Sequence, residues 1–165
     1  MMKKVLFLLI ALFTFGFQSI NAQESATKIV TNHPDFKIKV SRCAASGKTV
    51  VIDMILMNEG VNDIENIILW ACTTAEMIVT YDDQGNIYDC GSNFVKVANR
   101  KEYSNHDTGA FNIPTGVPMR LSVRIDAVST SSEKIARLSL PFQCAAWGLN
   151  RDKPVKISNI PISRD

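Results

Sequence analysis

Three stretches of this chain alternate apolar and polar residues one by one, and that period confines each to an extended strand with one dry and one wet face. In Phe36-Lys37-Ile38-Lys39-Val40-Ser41, the residues Phe36, Ile38 and Val40 fall on one side and Lys37, Lys39 and Ser41 on the other. Met119 to Val128 sets Met119, Leu121, Val123, Ile125 and Ala127 against Arg120, Ser122, Arg124 and Asp126. Ala136, Leu138, Leu140, Phe142 and Cys144 alternate with Arg137, Ser139, Pro141 and Gln143. Half-wetted strands of this kind belong to antiparallel sheets.

The intervening sequence adds further strands. Val50 to Met57 is apolar except for Asp53, which fits a central strand with both faces partly covered. Asn66 to Tyr81 reads as two strands, or one interrupted near Thr73-Thr74-Ala75. Asp82-Asp83-Gln84-Gly85-Asn86 supplies a turn, with Gly85 free to take a positive φ, and Ile87-Tyr88 completes a hairpin. Pro114-Thr115-Gly116-Val117-Pro118 is a second turn. Pro141 lacks a ladder donor and marks an edge or a bulge. Val155-Lys156-Ile157 and Ile160-Pro161-Ile162 form a short terminal strand. About eight short strands separated by turns match an all-β sandwich of two sheets.

The N-terminus fixes an expected address. Lys3 and Lys4 precede an apolar run from Val5 to Phe17, and Ile20-Asn21-Ala22 offers a small residue at a cleavage position. The run is well short of the roughly 20 residues that span a bilayer as a stable helix. Residues 1–22 are therefore expected to be a cleaved signal peptide, and no stable membrane insertion is expected after cleavage. Residues 23–34 are expected to be a flexible segment, and 35–165 a single domain. The whole chain has 18 basic and 16 acidic side chains. Losing Lys3 and Lys4 balances them, so the basic surplus typical of nucleic-acid binders is missing.

Cys43, Cys72, Cys90 and Cys144 all lie beyond the leader. An even count in an exported domain predicts disulfides. Three pairings are open, and strand parity, which puts Cys144 on the inward face, favours Cys43–Cys144 together with Cys72–Cys90. The longer bridge would contribute about 4 kcal/mol if unstrained. No Cys-x-x-Cys is present, and the cysteines lack the paired spacing of a zinc site.

A further likeness rests on three segments in order: Ile55-Leu56-Met57-Asn58, Tyr81 to Tyr88, and Ile113 to Pro118 before a strongly alternating strand. This arrangement resembles secreted immunoglobulin-like domains of unknown function common in Bacteroidetes, over roughly Phe36 to Trp147. The resemblance implies an immunoglobulin-like antiparallel β-sandwich of about seven to nine strands, with an interaction or envelope role. The antibody-type order of Cys, Trp and Cys is missing, because Trp70 lies two residues before Cys72.

Catalytic groups are sparse. His33 lies in the polar lead-in, and His106 in Asn105-His106-Asp107, where neighbours in sequence rarely make a base and its orienter. Asp82, Asp83, Asn86 and Asp89 around Gly85 are oxygen-rich enough for calcium, but turn chemistry accounts for the same residues. No catalytic, cofactor or metal residue is assigned. Trp147, after a strand and before Gly148, is the speculative ligand-binding residue, with Trp70, Tyr81, Tyr88 and Tyr103 as possible helpers. The expected function is a non-enzymatic interaction or adhesion module, periplasmic or extracellular. Its expected partner is another envelope or extracellular protein, with a glycan held around Trp147 as the alternative.

Overall fold

The computed structural model describes residues 26–72 and 77–164. The signal peptide expected over 1–22 and the interruption expected near Thr73-Thr74-Ala75 lie outside the described residues.

Eight strands of four residues or more carry the fold. They are β2 (Phe36–Ser46), β3 (Thr49–Asn58), β4 (Ile64–Leu69), β5 (Val79–Asp82), β7 (Asn93–Val97), β10 (Met119–Ile125), β11 (Lys134–Leu140) and β13 (Val155–Pro161). Six shorter strands join them: β1 (Lys28–Val30), β6 (Ile87–Tyr88), β8 (Glu102–Tyr103), β9 (Phe111–Ile113), β12 (Phe142–Gln143) and β14 (Ser163–Arg164). A short 3-10 turn covers Ala145–Trp147. The strands form a six-stranded sheet in the order β14-β2-β3-β10-β7-β8, a five-stranded sheet β1-β13-β11-β5-β6, and a small sheet β12-β4-β9. The molecule is an all-β sandwich. Of the long strands the sequence shows all but β7, and of the short ones it shows β6 as the return of a hairpin.

Alternation located β2, β10 and β11. In β2, Phe36 and Ile38 are buried while Lys37 and Lys39 are exposed. β3 is central between β2 and β10, alternating buried and half-buried residues along its length. Leu121, Val123 and Ile125 of β10 pair with Met54, Ile52 and Val50 of β3. All six are buried in one contiguous core that also takes in Leu138, Leu140 and Ile157 from the five-stranded sheet. Burying each such aliphatic side chain stabilises the fold by roughly 1.5–3 kcal/mol before chain entropy is counted.

Three expectations need correction. Lys28–Val30 fall in the segment expected to be flexible, yet they pair antiparallel with Ser158, Ile157 and Lys156, and Ile29 packs on the core. Alternation in β10 ends at Ile125, because the chain turns at Ala127, which is exposed with φ of 63°. A bulge between Ile135 and Arg137 shifts the register of β11, so that Ile135 is buried and Ala136 only half-buried. Pro141 does interrupt the ladder: β11 pairs with β13 and β5, whereas β12, one residue later, pairs with β4. The missing N–H makes Pro141 the corner at which the chain changes sheets, and its carbonyl accepts the Trp70 N–H at 3.1 Å.

Candidate functional site

The four cysteines divide into one bridge and two thiols. Cys72 and Cys90 are joined, with Cα atoms 5.3 Å apart. Cys43 and Cys144 are both buried and unbridged, which corrects the expected Cys43–Cys144 pairing. Parity was right for both residues, but parity does not measure position along a strand. Phe142, two residues before Cys144, packs edge-on against Phe36 at 5.1 Å between ring centroids. Cys43 lies seven residues further along β2, roughly 20 Å away at the rise of an extended strand. The Cys144 thiol donates instead to the Glu65 carbonyl at 3.2 Å. Burial pushes the Cys43 thiol up to about 12, so it stays protonated and a poor nucleophile at neutral pH.

The acidic turn is organised around an inward-facing carboxylate. Asp82 is buried and accepts five hydrogen bonds: from the Gln84 and Asn86 backbone N–H groups, the Asn86 amide, and the Tyr88 and Ser132 hydroxyls. Burial works against its charged form. The hydrogen bonds from Asn86, Ser132 and Tyr88 outweigh that and hold the carboxyl down at about 2. Burial and the bond to Asp82 raise Tyr88 in turn. Donors already surround the carboxylate, as an anion needs and a cation does not. Among the described residues, no three His, Cys, Asp or Glu side chains converge as a metal site.

Trp147 is engaged in packing. The 3-10 turn ends at Gly148 in the left-handed region and folds the indole back on the core, where it is half-buried. The His33 ring lies 4.6 Å from it, tilted by 59°. Gly60 lies close against its edge, where an added Cβ would come within 3.1 Å of Cη2. The proposed helpers are dispersed. Trp70 donates to Gln143 at 2.9 Å, Tyr81 stacks under Arg137, Tyr88 serves Asp82, and Tyr103 lies under Lys101. His106 is exposed, and the Asp107 carboxylate accepts the Gly109 N–H at 2.7 Å.

The feature most open to a partner is one edge of the sandwich. β2 is the longest strand, and its outer neighbour β14 pairs with it, in parallel, only at Ala44 and Ala45. From Phe36 to Cys43 the outer side of β2 has no strand partner among the described residues. Beside it lies β1, the edge of the opposing sheet. Between them runs a groove of about 400 Å³, lined by Ile29, Ile38, Val40, Cys43 and Ile160 and by the polar Thr27, Lys39, Ser41 and Arg42. Two devices limit this edge: Lys37 and Lys39 project from it, and a bulge at Ser41 breaks its regularity. The apolar and charged residues of β2 were legible in sequence. That its edge stays open was not, because pairing depends on residues far away in the chain.

No family model matches the chain, and no curated protein matches it closely. Among solved structures, the chain is similar to a family 123 glycoside hydrolase from Clostridium perfringens, described in terms of glycolipid glycan hydrolysis. The identity is 10% and the TM-score 0.42, over 84% of this chain and 26% of the hydrolase. The chain thus spans just over a quarter of that enzyme's length, and a likeness of this degree bears on neither activity nor ligand.

Proposed function

We propose that the protein is an exported, non-enzymatic interaction module of the bacterial envelope or extracellular space, an immunoglobulin-like sandwich that binds another protein by strand addition. The carrying observation is the outer side of β2 from Phe36 to Cys43, which has no strand partner among the described residues, beside a partly apolar groove. An incoming strand would satisfy the exposed backbone groups of β2 and place alternate side chains into the groove. Lys37 and Lys39 disfavour a second copy of the same edge, since antiparallel self-pairing would bring like charges together. A partner strand with acidic or neutral residues meets no such repulsion. The leader and the Cys72–Cys90 bridge support an oxidising, extracytoplasmic location.

The test is site-specific photocrosslinking in the native envelope. A photoreactive residue at Lys37 or Lys39 should yield one adduct of discrete mass, and the same residue at exposed Lys134, outside the edge, should yield none. Equal labelling from all three positions, or no adduct from the edge, would refute strand addition at β2.

A further inference from the structure

A second surface on the same sheet has a different chemistry. Strand register brings the outward residues of β2, β3, β10 and β7 into rows. Arg42 faces Asp53, which faces Ser122, then Lys96 and then Glu102. In the next row Lys39 faces Ile55, which faces Arg120. Lys37 lies opposite Met57 one row further. Lys37, Lys39, Arg42, Lys96 and Arg120 are all exposed, and none of them forms an ion pair among the described residues. Arg124 is different. Glu102 and Asp126 hold it, and their hydrogen bonds raise its pKa.

The centre of this face is a depression of about 470 Å³ lined by Ser41, Arg42, Asp53, Ile55, Arg120 and Ser122. Asp53 Oδ1 accepts the Ser122 hydroxyl at 2.6 Å, and the Ser41 hydroxyl donates to the Asp53 carbonyl at 2.9 Å. A half-exposed carboxylate is thus fixed in orientation with a guanidinium in its own row and another in the next. Arg42 and Arg120 stand on strands two places apart, roughly 10 Å across the sheet.

We infer that this face binds an acidic polysaccharide, with a uronate residue seated between Arg42 and Arg120. Five exposed cations outnumber the Asp53 and Glu102 carboxylates in their rows and select a polyanion by charge. The depression selects further, because guanidinium forks suit carboxylates whereas Asp53, its Oδ1 already held by Ser122, can accept a ligand hydroxyl at its other oxygen. A uronate carries carboxylate and hydroxyls on one ring and satisfies both. The surface lies on the face of the sheet but shares Ser41 and Arg42 with the groove at the β2 edge, so the two sites adjoin.

The experiment measures affinity of the purified protein for polygalacturonate and alginate by calorimetry, with neutral dextran and polyglutamate as controls. Binding to at least one uronate polymer, absent for dextran and at least about tenfold weaker for polyglutamate, is expected. Arg42→Ala with Arg120→Ala should weaken it by about tenfold or more, with an unchanged thermal melt. Asp53→Asn is the sharper variant. It makes the face more positive, so binding driven by charge alone would tighten, whereas uronate recognition through Asp53 weakens. Binding to neither uronate polymer, equal binding to polyglutamate, or tightening by Asp53→Asn would each overturn the inference.

Discussion

Two corners of the sandwich are closed by opposite means. At the β5–β6 hairpin, polar groups are buried and, apart from Asp83 Oδ1, engaged. Asp82 gathers five donors, and Asn93 gives its amide to the Ile78, Tyr88 and Asp89 carbonyls while accepting from Thr80. The Cys72–Cys90 bridge anchors the chain between these groups. At the β1–β2 edge the contacts are apolar, the cysteine is a lone thiol, and one strand keeps an open side. Directional bonds fix the first corner in a single arrangement, whereas the second keeps backbone groups available. Rigidity and availability are thus allotted to different parts of one fold.

The strongest way to break this contrast is Asp82→Ala, which strands its donors in a buried site. It should cost about 4 kcal/mol in urea unfolding, near the upper end for a single substitution. A loss below about 1 kcal/mol would mean that the corner is not held as described. Removing the bridge with Cys72→Ala and Cys90→Ala should cost about 3 kcal/mol. In the same comparison, unreduced denatured protein should titrate two thiols, Cys43 and Cys144, against four after reduction. Finding none before reduction would restore the pairing that the structure rejects.

Acid probes the first corner more gently. Asp82 titrates at about 2 in the fold against 3.8 ordinarily, so its stabilisation is complete above about pH 5 and is lost as pH falls toward 2. The loss should be about 2 kcal/mol, and Asp82→Asn should flatten that part of the stability profile. The smallest effect belongs to the open edge. Lys39→Ala should change stability by no more than about 0.5 kcal/mol, because its side chain is exposed and unpaired. A larger loss would show that β2 is held by its charges.

Legibility in sequence followed strand length and locality. β2, β10 and β11 were readable because one face of each carries several apolar residues in step. β7 was missed because Asn93, a polar residue, occupies an inward position, leaving only Val95 and Val97 as a pattern. β1 and β9 are three residues each, too short for a period to declare itself. The Asp82 turn was visible as a turn, but the Ser132 hydroxyl that helps define its purpose arrives from 50 residues away. The cationic face was hidden for the same reason. Lys37 and Lys39 are plain in the sequence, yet only the sheet order brings Arg120 and Lys96 alongside them.

The parallel seat of β14 on β2 also orders events in time. The β2–β3 hairpin uses neighbouring residues and is able to form while later segments are still being made. β1 and β14 have no such freedom. Thr27 bonds to the Asn159 carbonyl across 132 positions, and Arg164 to the Gly47 carbonyl across 117. Such distant closures make for slow folding. The outer side of β2 is therefore among the last parts of the sandwich to be covered, and the arrival of β14 withdraws only Ala44 and Ala45 from that exposure.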